Sequence, residues 1–115
     1  MDSDFTRFAT SVIPDIAEVR LYDETIEKVR FGHPEIPARL PSLVAAVMKA
    51  VTNPSHVERI DDVNYVFVDM GTTNASGDPL RVPVKRIDGL SARVKSFYFA
   101  SGGRAARIIW RRTDG

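Results

Sequence analysis

From Asp15 to Tyr22 apolar and polar residues alternate, with Ala17, Val19 and Leu21 on one side and Ile16, Glu18, Arg20 and Tyr22 on the other. That period of two predicts a half-buried strand. Asp23 follows as an N-cap, with Glu24 and Glu27 placed where carboxylates meet the positive end of a helix, and Ile26 and Val29 give its apolar side. This short helix ends near His33, because Gly32 tolerates a left-handed C-terminal conformation and Pro34 disfavours the helical one at the residue before it. Leu40, Leu43, Val44, Val47, Met48 and Val51 then recur at helical spacing. They predict a second helix from Pro37 or Pro41 to Val51, closed by Asn53 and Pro54.

Beyond Pro54 the period returns to two. His56–Ile60, Val63–Met70, Leu80–Arg86, Arg93–Ala100 and Ala106–Trp110 read as strands separated by turn formers: Gly71 to Pro79, Asp88-Gly89 and Gly102-Gly103. Connections this short imply antiparallel pairing, since a parallel pair needs a crossover of a dozen or more residues. The predicted architecture is α+β, an N-terminal strand and two helices packed on one face of a four- to five-stranded antiparallel sheet. The chain reads as one domain over 1–115, with a core over 15–100 and a basic C-terminal strand or tail over 101–115.

Charge changes this picture more than composition does. The 115 residues are 43% hydrophobic and 27% charged, ordinary for a folded domain. The net charge of +1 conceals a division: residues 1–80 hold 7 bases against 13 acids, and residues 81–115 hold 9 bases against 2 acids. A concentrated cationic segment recruits polyanions. Because it lies on strands, alternation sets Leu80, Val82 and Val84 opposite Arg81, Pro83 and Lys85, and Arg107 and Arg111 opposite Ile108 and Trp110. One face of the sheet is then apolar beneath the helices and the other is studded with cations. The alternative is a solvated strand face whose Lys and Arg guard sheet edges.

Several chemistries are excluded or weakened. With no cysteine there is no disulfide, thiol nucleophile or thiolate metal site. Two distant histidines without a tight carboxylate cluster do not match metal-ligand spacings, and no metal or other cofactor is expected. The glycines lie between strands rather than between a strand and a helix, so no phosphate loop is predicted, and no nucleophile elbow is present. Met1 to Ile13 carries Asp2 and Asp4 and no long apolar run, so neither a signal peptide nor a membrane span is expected. The expected location is the cytoplasm, or a target cell reached by a specialised secretion route. His33 is a candidate for proton transfer; the alternative is a histidine facing the last carbonyls of a helix. His56, at the mouth of a strand, reads as structural or exposed.

Four segments taken in order carry a resemblance: Arg30-Phe-Gly-His-Pro-Glu-Ile36, Val47-Met-Lys-Ala-Val-Thr-Asn-Pro-Ser-His-Val57, Leu80-Arg-Val-Pro-Val-Lys-Arg-Ile87 and Val94-Lys-Ser-Phe-Tyr98. Together they resemble the small phage-associated nuclease domains of the barnase, EndoU, colicin and RelE-like group. Those domains show a His-Pro-Glu after the first helix, a second helix ending in Asn-Pro or Asp-Pro, a strand ending in lysine, and a Thr or Ser before an aromatic residue. This chain departs from the pattern in having Phe31-Gly32 before the histidine and Ser96 where threonine is commoner. The resemblance implies a metal-independent endoribonuclease, of toxin or phage-linked type, in which the RNA 2′-hydroxyl attacks its own phosphodiester. On that reading His33 is the general acid or base, Lys85 stabilises the phosphate and Ser96 positions it. Arg81, Arg86, Lys95, Arg104 and Arg107 are expected to contact RNA on charge grounds, and an acidic antitoxin or immunity protein is the implied protein partner. Two further readings are a non-catalytic module that binds nucleic acid or protein, and a domain whose acidic helical half docks onto a larger assembly.

Overall fold

The computed structural model describes residues 4–102 and 106–113. Its elements run β1 (Phe5–Ile13), β2 (Ile16–Tyr22), α1 (Asp23–Gly32), α2 (Glu35–Arg39), α3 (Leu43–Thr52), β3 (His56–Arg59), β4 (Asn64–Thr73), β5 (Pro79–Asp88), β6 (Ser91–Val94), β7 (Tyr98–Phe99) and β8 (Arg107–Arg111). The fold is α+β, as the pattern predicts, but its sheet is larger and mixed. Eight strands lie in the order β1-β2-β6-β5-β4-β3-β8, with β7 pairing β5 beyond the end of β6. All described pairings are antiparallel except β2 with β6.

The expectation of four to five antiparallel strands fails for identifiable reasons. Residues 5–13 form a strand although only Phe8 and Ile13 are buried large apolar residues, five positions apart, so hydrophobic alternation there is faint. The parallel pair arises because β6, already hydrogen-bonded to β5 on one side, takes β2 on its other side. The chain between β2 and β6 supplies the crossover that parallel pairing needs, with all three helices and three strands in it. The predicted strand Arg93–Ala100 is two strands. Val94 and Phe97 are both fully buried yet three residues apart, which period-two alternation cannot satisfy, so the chain bends between them.

Three helices replace the predicted two. The stretch between Pro34 and Pro41 makes its own short helix, α2, which seats Ile36 in the core. Asp23 is the first residue of α1 rather than its cap: Tyr22 occupies the cap position, and the Asp23 N–H donates to the Asp4 carbonyl at 3.0 Å. α3 starts where Ser42 Oγ accepts from the Ala45 N–H at 3.2 Å and ends at Asn53. Its buried side, Leu43, Val47, Ala50 and Val51, packs on β1, β4 and β5 against Phe67, Leu80, Val82 and Val84.

Register irregularities between Ala9 and Ile13, Asp69 and Thr73, Arg86 and Asp88, and Val57 and Glu58 curl the sheet. At one of them the N–H groups of Ala17 and Glu18 share the Leu90 carbonyl, at 2.7 and 3.2 Å. The predicted loop 71–79 contracts to Asn74–Asp78, where Asn74 Oδ1 accepts from the N–H groups of Ser76 and Asp78. Gly89 has φ 50° in the β5–β6 turn, a conformation that suits glycine.

Candidate nucleic-acid interface

Strand register fixes which side chains share the face away from the core. On β5, Leu80, Val82 and Val84 point inward and are fully buried, which leaves Arg81, Pro83 and Lys85 on the open face. Lys85 pairs with Arg93 of β6, Arg93 pairs with Arg20 of β2, and Arg20 pairs with Arg7 of β1. Four cations from four neighbouring strands therefore form one row across the sheet. With strands ~4.8 Å apart, the row is about 14 Å long.

Like charges directly opposite one another destabilise a sheet, and here the offset is partial. Glu18 Oε1 accepts from Arg20 Nε at 2.6 Å and lies 3.4 Å from Arg7 Nε. Arg93 and Lys85 have no carboxylate partner among the described residues. Beside the row stands an aromatic pair, Phe5 and Tyr22, with ring centroids 5.0 Å apart. Arg7 and Arg20 lie over the Phe5 ring at 5.4 and 5.3 Å, and Arg93 over Tyr22 at 5.1 Å. These contacts orient guanidinium planes that would otherwise move freely.

Further along the same face a cleft of about 500 Å³ opens between the β3–β4 turn and the segment after β7. Val66 and Pro83 form an apolar floor, Ile60 and Tyr98 stand at its sides, and Arg81 and Lys95 carry its positive charge. Lys95 Nζ donates to Asn64 Oδ1 at 3.0 Å. The Asn64 amide in turn donates to Asp61, and that hydrogen bond is the main reason the Asp61 carboxyl is held below its ordinary pKa. Behind the cleft, Arg81 donates Nη2 to Glu58 Oε1 at 2.5 Å and Nη1 to Glu58 Oε2 at 3.2 Å. His56 Nε2 lies 2.9 Å from the same Oε2. Burial pushes the Glu58 pKa up, but the hydrogen bonds from Arg81 and His56 outweigh it and hold the carboxyl below its ordinary value.

The residues singled out from sequence fall in different places. His33, at the C-cap of α1, has Nδ1 3.4 Å from Glu35 Oε1 and its ring 6.2 Å from that of Tyr98. Tyr98 pairs with Arg81, and Lys85 is four residues farther along β5, about 13 Å away at ~3.3 Å per residue. His33 therefore neighbours the Arg81 end of the face, while Lys85 belongs to the cationic row. Ser96 is half-buried in the bend between β6 and β7, next to Lys95. Arg86 shares a face with Ala92 rather than with Lys85, and its Nη2 donates to the Gly89 carbonyl at 3.4 Å. Arg81, expected as a solvent-facing contact, is buried against Glu58, with one side toward the cleft. Arg107 is exposed on the outermost strand, and Arg104 lies outside the described residues.

Arg7, Arg20 and Arg93 were not singled out as candidates. The first two belong to the acidic part of the chain, and only the β2–β6 pairing brings them to Lys85. One local signal existed: Arg7 and Arg20 each sit two residues from an aromatic, Phe5 and Tyr22, on the same strand face. No family model, no curated protein and no solved structure matches the chain. Among the described residues no cluster of three or more His, Asp or Glu is placed to hold a metal ion, and no helix is long and apolar enough to cross a membrane.

Proposed function

We propose that this protein binds single-stranded RNA along the open face of its sheet. The observation that carries the reading is the row Arg7, Arg20, Arg93 and Lys85. Edge protection does not account for it, because β2, β6 and β5 lie inside the sheet and only β1 is an edge. A row of like charges costs stability that a bound polyanion relieves, and the Phe5 and Tyr22 rings hold the guanidinium groups of Arg7, Arg20 and Arg93 in place for phosphates. The test is binding of a labelled oligouridylate, measured by fluorescence anisotropy, by the wild type and by the double variant Arg93→Glu and Lys85→Glu. Saturable binding by the wild type, weakened at least tenfold in the variant, supports the reading; equal affinity of both proteins refutes it.

A second reading, cleavage of that RNA, is favoured by the position of His33 beside Tyr98 at the rim of a cleft that holds Arg81 and Lys95. In this chemistry the 2′-oxygen bonds to phosphorus and loses its proton to a base. The bond to the 5′-oxygen breaks, and that oxygen takes a proton from an acid while cations stabilise the pentavalent charge. His33 can serve as base or acid, with Arg81, the partner of Tyr98, nearer to it along β5 than Lys85. Incubation of mixed RNA in excess EDTA, followed by end analysis, should give 2′,3′-cyclic phosphate ends that disappear in His33→Ala. Intact RNA, or unchanged cleavage by His33→Ala, rules out this role. The acidic inhibitor implied by the family resemblance would compete for the same cationic face.

A further inference from the structure

The row of cations is open surface, whereas the cleft beside it is a half-open concavity lined from the β3–β4 turn, β5 and the segment around β7, and the two differ in what they can hold. We infer that the cleft is a mononucleotide subsite, taking one base of the strand on its apolar floor with the attached phosphate at Lys95. The inference deepens the RNA-binding reading and rests on it.

Three observations carry it. First, about 500 Å³ lies within the range of small-ligand sites, which are ~300–1,000 Å³, and the cleft combines apolar walls with a few charged groups. Second, its floor suits a flat apolar object: Val66 and Pro83 are directly paired across β4 and β5, and the Tyr98 ring stands beside them. Third, its cations are held in place. The Lys95 backbone N–H donates to the Pro83 carbonyl at 2.8 Å, so Lys95 rises beside the floor residue. Arg81 is two residues from Pro83 on the same strand, a diagonal neighbour of Lys95 with backbones about 7–8 Å apart, and both line the cleft. Glu58 fixes the plane of the Arg81 guanidinium through two of its five N–H donors and leaves the others for a ligand. Glu58 also neutralises Arg81, whereas Lys95 has no carboxylate within ion-pair distance among the described residues and supplies the charge that meets the phosphate. Asn64 ties Lys95 to Asp61 at the Lys85 end of the cleft, so repulsion by Asp61 favours a phosphate on the other side of Lys95, toward Arg81.

The experiment is a titration of the full chain with uridine 5′-monophosphate, followed by ¹H–¹⁵N spectra, alongside the labelled oligouridylate. Inorganic phosphate and uridine are titrated separately. Saturable shifts confined to the amides of Asn64, Val66, Arg81, Lys95 and Tyr98 are expected. Uridine 5′-monophosphate should bind more tightly than phosphate or uridine, and Lys95→Ala should weaken it about tenfold, the loss of a charge-assisted contact. Lys28→Ala, which removes the same charge from the exposed side of α1, should leave it unchanged. Oligouridylate binding without saturable mononucleotide binding at these amides overturns the subsite and leaves the RNA-binding reading standing. Failure to bind either ligand overturns both. Mononucleotide affinity unchanged in Lys95→Ala overturns the subsite as drawn.

Discussion

If the cationic face holds RNA through phosphate contacts, its affinity must fall with salt by an amount the structure sets. Arg7, Arg20, Arg93, Lys85 and Lys95 all face one side of the sheet, and Glu18, bridging Arg7 and Arg20, cancels one charge. That leaves about four phosphates neutralised, and at about −0.7 per phosphate for a single strand the slope of log K against log salt is about −2.8. Raising NaCl from 50 to 200 mM should then weaken binding about fifty-fold. Arg93→Ala removes one contact and should reduce the slope to about −2.1, so that the same salt step costs about eighteen-fold. Arg93 is exposed, has no carboxylate partner among the described residues and touches the Tyr22 ring, so its removal should cost no more than about 0.5–1 kcal/mol in urea unfolding. The assay is fluorescence anisotropy of a labelled oligouridylate over a salt series for both proteins. A wild-type slope near zero, or one that Arg93→Ala does not alter, would refute the reasoning that these side chains act as phosphate contacts.

Other outcomes follow from the interior. Glu58→Gln should destabilise the fold by about 3 kcal/mol in urea unfolding, because it leaves the Arg81 charge buried without its partner. Since the Glu58 pKa is depressed on folding, its contribution is present above the unfolded-state value and lost as pH falls through the folded value; the variant should therefore lose less stability between neutral and acid pH than the wild type. Ser42→Ala removes the cap of α3 and should cost about 1 kcal/mol by the same measurement, with Ser42→Gly milder. Phe97→Ala should cost about 3–5 kcal/mol, since this fully buried ring anchors the bend that separates β6 from β7; a loss below 1 kcal/mol would mean that the bend does not depend on it.

The local pattern was enough for most elements. Leu43, Val47 and Val51 define one side of a helix, and Val82 and Val84 one side of a strand, because burial periodicity is written into neighbouring residues. The chain alone therefore determined an α+β fold, the helix after Tyr22, the three strands between His56 and Arg86, the last strand ending near Trp110 and the basic character of the last third. The alternation on β5 likewise separated Lys85 from Val84 correctly. Short connections also foretold the antiparallel pairs β3–β4, β4–β5 and β5–β6, but the pairing of distant strands was decided only in three dimensions. The β2–β6 contact joins residues about seventy positions apart, and nothing within either segment specifies the other, since parallel pairing depends on which sheet edge is left free after local hairpins form. That single contact places Arg20 and Arg7 of the acidic part beside Arg93 and Lys85, and turns a charge division along the chain into a charge row across a surface. Likewise the fate of Arg81, buried against Glu58 rather than open to solvent, depended on the β3–β4–β5 register, because a charge is buried only where a partner twenty-three positions away is brought to meet it.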